Sequence, residues 1–534
     1  MVKCKNLDCT SHATNVSFPT SKKKRGFQIN KALVLGMRTI GKGHAAASKM
    51  LSFLGMKPIN TQYWTATTAK LTEETRSLLE KELLTSAYEV KEKKFMIGEL
   101  ECQREDLEKT VVDVAVTLDG SWSSRGWCAT DSLVAAISVD TGNVLDVVHL
   151  SSHCSECKKM DQQRSEGSVS RQDYLAWFIE HEPKCLLSHE GSAASMEAAG
   201  AKILYQRSVA TKGLHYIPFI GDSDSKAYSA VCAAQPYGPS VFIPKEECVA
   251  HVTKRMGTGL RALLRDYKGK KLSDRKVLSG SGRLTLARVD LQGFYGQAIR
   301  HNKHDAKAMA KAVRAILKHY SSSQGNLMHE DCPPGSSSWC SYQRDLDAGT
   351  DLHREIHNPL PPTVVEVIQP PFDRLGDEAF LVGCEKCYTQ NNNESLHHVI
   401  WGMAPKDAYN SAYEIDVAIT LDVLQFNHGF THTYKELLTR LELDIPSQMR
   451  ASWEKIDADR IYQAAYRSSD KIMTKRRKKR NKKLRKQDAF VRKEGVMYKS
   501  QAFHKGKSKK KQTKNKNSMF SFYCLYARCS YSIK

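Results

Sequence analysis

The sequence predicts a mixed α/β fold with a large helical part, and three observations predict it. Residues 111–118 form an apolar, β-branched run, VVDVAVTL, with the period and length of a buried strand. Residues 132–152, SLVAAISVDTGNVLDVVHLSS, are two further β-branched runs around Asp140-Thr141-Gly142-Asn143, a hairpin signal. After two helical stretches comes LHYIPFIGDSDSKAY, a fourth apolar strand that ends in acid. The order β-β-β-α-α-β-α-β favours one mixed sheet flanked by helices.

The elements follow in order. Residues 1–27 are polar and basic, with Cys4 and Cys9 as a loose pair that reads equally as half a metal site or as two separate thiols. Residues 28–105 read as helical: HAAASKMLSFLG carries helix formers and stops at Gly55, and LTEETRSLLEKELLTSAYEVKEKK places leucine on one face and charge on the other. Beyond the three strands, RQDYLAWFIEHE and MEAAGAKILYQRSVATKG predict helices, as does SKAYSAVCAAQ after the fourth strand, and SVFIPKE predicts a short fifth strand. KRMGTGLRALLRDYKGKK and DAKAMAKAVRAILKHY are basic helices separated by a loop containing SGSGRL. Residues 331–384 are richer in Pro, Ser and Cys and show no clear period. NNNESLHHVIWGMAPKD and YEIDVAITLDVLQFN are helical again. The expected division is 1–105 N-terminal basic and helical region, 106–254 first part of the sheet core, 255–384 helical insertion, 385–430 last part of the core, and 431–534 a helical, then disordered, basic tail.

The 534 residues, 41% of them hydrophobic, suffice for two to four structural units. A net charge of +23 makes an acidic polymer, most simply nucleic acid, the natural partner. No stretch has the apolar length of a membrane span, and MVKCKNLDCTSH has no apolar signal-peptide core. Fifteen cysteines in a chain expected to be intracellular argue for metal sites or buried thiols rather than a disulfide framework.

Four groups could carry chemistry. Asp119 and Asp222 end predicted strands, and Glu394 opens a predicted helix with Asn393 as its expected cap. Carboxylates converging on Mg²⁺ or Mn²⁺ are what two-metal phosphoryl transfer requires. The order of these three acids is that of ribonuclease-H-like nucleases. Spacing alone leaves turn and cap roles open, since 58 acids supply many such trios. Cys154-x2-Cys157-x23-His181-x3-Cys185 has the spacing of a closed structural Zn²⁺ site. Cys248 and His251 are two soft ligands on a tight turn that could bind metal or pack as a buried pair. His329, Cys332, Cys340, Cys384 and Cys387 are candidates for another cluster or for free thiols. Lys475, Arg476, Arg477, Lys478, Lys479, Arg480, Lys482 and Lys483 form a charge block suited to phosphate contact.

Taken in order, DGSWSSRGW, ISVDTGNVLDVVHLS, the Cys-x2-Cys, GSAASMEAAGA, GDSDSKAY, ECVAHVTKRMGTGLR, SSWCSY and TQNNNES resemble the animal Mutator-like transposase domain, from near the N-terminus to about residue 430. The resemblance implies a DDE catalytic domain on a ribonuclease-H-like fold that cuts and joins transposon ends. It makes Asp119 the first acid, Asp222 the second, with Asp224 as alternative, and Glu394 the third. It matches Cys248 and His251 to a Cys-x2-His feature and the following helices to an insertion domain. It also implies catalytic Mg²⁺ or Mn²⁺, double-stranded DNA (terminal inverted repeats and target) as partner, a homo-oligomer, and a nuclear location. A domesticated, catalytically silent DNA-binding descendant is the alternative.

Overall fold

The computed structural model describes residues 28–124, 129–222, 226–285, 291–323, 325–350, 359–408 and 410–494. One five-stranded sheet lies at the centre of a largely helical chain. Its strands are β1 (Val112–Trp122), β2 (Asp131–Ser138), β3 (Val144–Ser151), β4 (Leu214–Gly221) and β5 (Lys245–Glu247). Their order across the sheet is β3-β2-β1-β4-β5. β1, β2 and β3 are antiparallel neighbours, whereas β4 lies parallel to β1 and β5 parallel to β4.

Local chemistry explains the first three strands. Ser138 Oγ accepts the Asp140 and Thr141 N–H groups (3.1 and 3.3 Å), and Gly142 turns the chain at φ 79°. That closes the hairpin between β2 and β3. A parallel β4 needs a long crossover. Helices Ser155–Ser165, Arg171–His181 and Ala193–Lys212 supply it.

Every residue of β2 is buried, so both faces of the sheet are covered. Strand alternation sorts its side chains. Val134 and Ala136 join Val112, Val114, Val116 and Leu118 of β1 under helix Ala193–Lys212, against Ala201, Leu204 and Tyr205. Leu133, Ala135 and Ile137 face the other way, against helices Thr61–Met96, Asn391–Met403 and Ala412–Arg440. Thr117 of β1 belongs to that second face, because its Oγ1 donates to Asn393 Oδ1 (2.6 Å). Asp119, two residues on, points the same way.

Helix Ala193–Lys212 approaches β2 closely at Gly200. A Cβ there would stand 2.5 Å from Val134 Cγ2 and 3.0 Å from its Cβ. We therefore expect Gly200→Ala to destabilise the fold by about 1–3 kcal/mol through overpacking, read as a lower denaturant midpoint.

A separate apolar cluster gathers helices Val249–Asp266, Leu291–His301, Ala306–Ser321, Pro362–Leu375 and Glu378–Val382 around Met256, Tyr295, Ile316 and Phe372. Tyr295 Oη donates to the Leu375 carbonyl (2.8 Å).

The structure departs from the sequence reading in several places. β1 runs to Trp122, so Asp119 lies within the strand opposite Ala135 rather than at a turn. β5 begins only at Lys245. Helix Pro362–Leu375 forms in the stretch without a clear period, with Pro362 in its first turn and Pro370 and Pro371 inside it. Asp470–Glu494 is a helix where a disordered basic segment was expected. Lys, Arg, Gln and Leu are good helix formers, and the run contains neither Gly nor Pro. Residues 495–534 lie outside the described residues. Among those described, no helix is long and apolar enough to cross a membrane.

Asp422 is an acid in the core. It lies on helix Ala412–Arg440, 2% exposed. Gln425 Nε2 is 3.4 Å from Oδ1, and Oδ2 has no hydrogen-bond partner among the described residues. Burial pushes its carboxyl up to about 7. The native pKa thus exceeds the unfolded one, so stability is greatest below the ordinary carboxylate range and falls as pH rises toward 7. Asp422→Asn should remove that fall. We expect a gain of a few kcal/mol at pH 8, vanishing near pH 4, in parallel urea titrations.

Candidate active site and metal centres

Two of the three predicted acids, Asp222 and Glu394, lie around one histidine, and Asp119 lies against another. Asp222 immediately follows β4, and its Oδ1 accepts Arg255 Nη2 (2.7 Å). Its Oδ2 lies 3.2 Å from His251 Nδ1. Glu394 is in the first turn of helix Asn391–Met403; its Oε1 accepts Lys254 Nζ (2.6 Å) and lies 3.3 Å from His251 Nε2. His251, Lys254 and Arg255 project from one face of helix Val249–Asp266 by their i, i+3, i+4 spacing. His251 and Arg255 hold the Asp222 carboxyl well below its usual range, and Lys254, then His251, lower that of Glu394. The two acids in turn raise the His251 imidazole, Asp222 most.

Asp119 completes the group from β1. Its Oδ2 is 3.6 Å from Nδ1 of His397, one helical turn beyond Glu394. Burial pushes the Asp119 carboxyl up to about 7, with Glu197 adding to the rise and Asp222 contributing. His397 is itself lowered to about 4 by burial and then by Lys406. It therefore meets Asp119 as a neutral ring.

Glu197, in the first turns of helix Ala193–Lys212, is a fourth acid that the sequence reading missed. A Cβ at position 120 would stand 2.7 Å from its Cγ, so Gly120 is what lets it lie against β1. Burial and then Asp222 raise its carboxyl. Its signal was present in GSAASMEAAGA, but a three-acid pattern has no place for it.

Polar side chains clamp the acid-bearing helix onto the sheet. Gln390 Nε2 donates to Leu118 O (2.7 Å), and Asn393 Nδ2 donates to Ala135 O (3.1 Å). Asn393 is thus buried between helix and strands and is not the expected cap; Gln390 holds the N-cap position. Trp122 Nε1 donates to Ala193 O (2.6 Å), and Ser121 Oγ accepts Trp401 Nε1 (2.8 Å). Asp224 lies outside the described residues.

Cys248 and His251 turn to different partners instead of sharing a ligand site. The Cys248 thiol accepts the Gln390 N–H (3.3 Å), while the His251 ring faces the acids. Together they tie helix Val249–Asp266 to the segment bearing Glu394.

Cys154, Cys157, His181 and Cys185 come together, with their ligand atoms within 4.8 Å of one another. His181 Nε2 lies 3.4 Å from Cys154 Sγ and 3.2 Å from Cys157 Sγ, and Cys157 Sγ lies 3.4 Å from Cys185 Sγ. Ligands of a tetrahedral zinc at ordinary bond lengths stand about 3.3–3.8 Å apart. His181 Nδ1 is 3.0 Å from Glu156 Oε2, the outer carboxylate that fixes a ligating imidazole.

His329, Cys332 and Cys340 also converge, and His319, unforeseen, joins them. Cys384 and Cys387 do not belong to this group. Cys384 is buried in the helical core, and Cys387 Sγ faces the Ile299 carbonyl at 3.7 Å. Lys475, Arg476, Arg477, Lys478, Lys479, Arg480, Lys482 and Lys483 are exposed on helix Asp470–Glu494. Cys4 and Cys9 lie outside the described residues.

A family model described as Mutator-like transposase matches residues 1–340. No curated protein gives a significant match. The matched span includes Asp119, Glu197, Asp222, His251 and both Cys/His groups, and ends before Glu394. Covering more than half of the chain, the match shows that the chain belongs to the Mutator-like transposase family.

Proposed function

We propose that the chain is a DDE-type DNA transposase whose Asp119, Asp222 and Glu394 hold catalytic Mg²⁺ or Mn²⁺. The observation that carries this reading is geometric. Asp222, at the end of the parallel neighbour, and Glu394, on a helix laid across the sheet, bracket His251, while Asp119 on the central strand lies against His397, one turn along the helix that carries Glu394. The sheet order and its mix of antiparallel and parallel neighbours support a ribonuclease-H-like core.

The donor set fits such an ion. It is all carboxylate oxygen, which suits hard divalent cations. Its buried member, Asp119, sits near two further acids whose charge a cation would offset. When bound, the ions activate the attacking oxygen and stabilise the leaving one. His251, Lys254 and Arg255 keep Asp222 and Glu394 ionised and in place. The open cleft beside them is lined by Lys254, Arg255 and Arg374, a basic surface for the phosphate backbone. His397 and Gln390 fix the helix against β1, so that the acids do not drift apart.

Cys154, Cys157, His181 and Cys185 hold a structural Zn²⁺ in this reading. The helix bearing Lys475–Lys483 contacts double-stranded DNA, at transposon terminal inverted repeats or at the target. A homo-oligomer brings two ends together, and the protein acts in the nucleus.

The test is strand cleavage of duplexes carrying the element's own ends. Cleavage with Mg²⁺ that stops with chelator supports the proposal. Salt-sensitive binding to those duplexes without cleavage in Mg²⁺ or Mn²⁺ would favour a silent DNA-binding descendant.

A further inference from the structure

We propose that His319, His329, Cys332 and Cys340 form a second, independent zinc centre, which staples residues 325–340 to the helical part of the chain. The inference does not rest on the transposase reading. The four residues follow the pattern His-x9-His-x2-Cys-x7-Cys, and each is at most 9% exposed. His329 Nδ1 lies 3.2 Å from His319 Nδ1, 3.5 Å from Cys340 Sγ and 4.0 Å from Cys332 Sγ. Cys332 Sγ lies 3.7 Å from His319 Nδ1. All the ligand atoms are within 4.8 Å of one another. These separations bracket the edges of a zinc tetrahedron with two nitrogen and two sulfur ligands, about 3.3–3.8 Å.

Hydrogen bonding alone is a poor account of this arrangement. Two neutral imidazoles facing each other through Nδ1 share at most one proton. The thiols beside them are weak donors. One divalent ion satisfies all four atoms. The outer contacts also suit ligands. Ser322 Oγ lies 2.9 Å from His329 Nε2, where it can accept the Nε2 proton when Nδ1 binds an ion. Tyr342 stacks on His329 with centroids 4.7 Å apart, and the Trp339 ring meets His319 edge-on at 4.7 Å. With four protein ligands the site is closed, so its role is structural.

The loop needs such a staple. Among the described residues between helices Ala306–Ser321 and Ser341–Asp347, regular pairing is limited to an isolated bridge, Ser323 with Asn326. A segment with so little ladder and core is held by its cross-link. Packing links the cluster to the helix that bears His251. Trp339 packs on Phe294 of helix Leu291–His301 (6.1 Å). That helix touches the one bearing His251 so closely that a Cβ at Gly296 would stand 2.8 Å from Thr253 Oγ1.

Two measurements on the full chain test the proposal. In the first, the wild-type protein is treated with an alkylating agent before and after chelation, and labelling is read peptide by peptide. Cys332 and Cys340 should resist alkylation until zinc is removed, at a chelator level where buried Cys384 remains protected. Labelling of Cys332 and Cys340 that is identical with and without chelator would overturn the site. In the second, zinc is quantified in Cys340→Ser and His319→Asn. Each should lose one equivalent relative to wild type, additive with the loss in a Cys157→Ser background. Unchanged zinc content in both folded variants also overturns it. The alkylation test needs no substitution, so it decides the matter even where a variant fails to fold.

Discussion

We expect Asp119→Asn to lower metal-dependent strand cleavage by a factor on the order of 10³ or more while DNA binding persists. Asparagine keeps the shape of the side chain on β1 and its contact with His397. It removes the charge that a divalent ion requires. The basic cleft and the exposed helix around Lys475–Lys483 are untouched, so a gel-shift assay should move little. Full cleavage by the variant would sink the assignment of Asp119. A second readout separates lost chemistry from lost folding. Burial and Glu197 push the Asp119 carboxyl up to about 7. Its native pKa therefore lies above the unfolded one, and ionisation near neutral pH works against the native state. With metal chelated away, Asp119→Asn should be at least as stable as wild type at pH 8, and the difference should shrink toward pH 4. A variant that loses both activity and stability would point to a structural role.

Much of this site was legible because its parts lie where strands end or cross. β-branched runs located β1 and β4, and the acids near their ends were the natural candidates. The Cys154 cluster was legible because its ligands come in close pairs, and metal geometry constrains spacing within a pair. What escaped the sequence is what long-range contact decides. Gly-Ser-Trp after Asp119 has turn composition, yet pairing with β2 and the bonds of Ser121 and Trp122 keep it in the strand. Asn393 reads as a cap from its neighbours, but the helix starts earlier and uses it to bind Thr117 and Ala135. Glu197 and His319 each lie on a helix with ordinary periodicity, and only the fold shows that they face an acid and a pair of thiols. The basic run after residue 473 reads as disordered from its charge density, but its residues are individually good helix formers. In each case a local preference was real and a distant partner, or simple propensity, decided otherwise.

The second large effect is expected at Cys157. Cys157 Sγ contacts both His181 and Cys185, so its loss opens the cluster. Helix Ser155–Ser165 buries none of its residues, and helix Arg171–His181 buries only His181. Leu175 and Ile179 remain exposed. Beyond the cluster, the two helices are joined by surface contacts such as Tyr174 Oη to Asp161 Oδ1 (3.0 Å) and Arg164 over the Tyr174 ring (4.6 Å). Exposed contacts of this kind contribute little. A metal held by the cluster would therefore supply most of the free energy that folds the segment. Cys157→Ser should lose one equivalent of zinc and destabilise residues 152–192 by at least about 3 kcal/mol. Hydrogen exchange there should accelerate while β1 and β2 stay protected. The effect should also reach the active site. The Ser188 and His189 N–H groups donate to the Ser151 carbonyl, and the Ala193 carbonyl accepts Trp122 Nε1. These bonds set where helix Ala193–Lys212 begins, and thus where Glu197 stands beside Asp119. Cleavage by Cys157→Ser should fall less than in Asp119→Asn and recover in part at lower temperature, where the loosened segment refolds. Zinc-free protein with unchanged exchange in 152–192 would show that packing, not metal, holds the two helices.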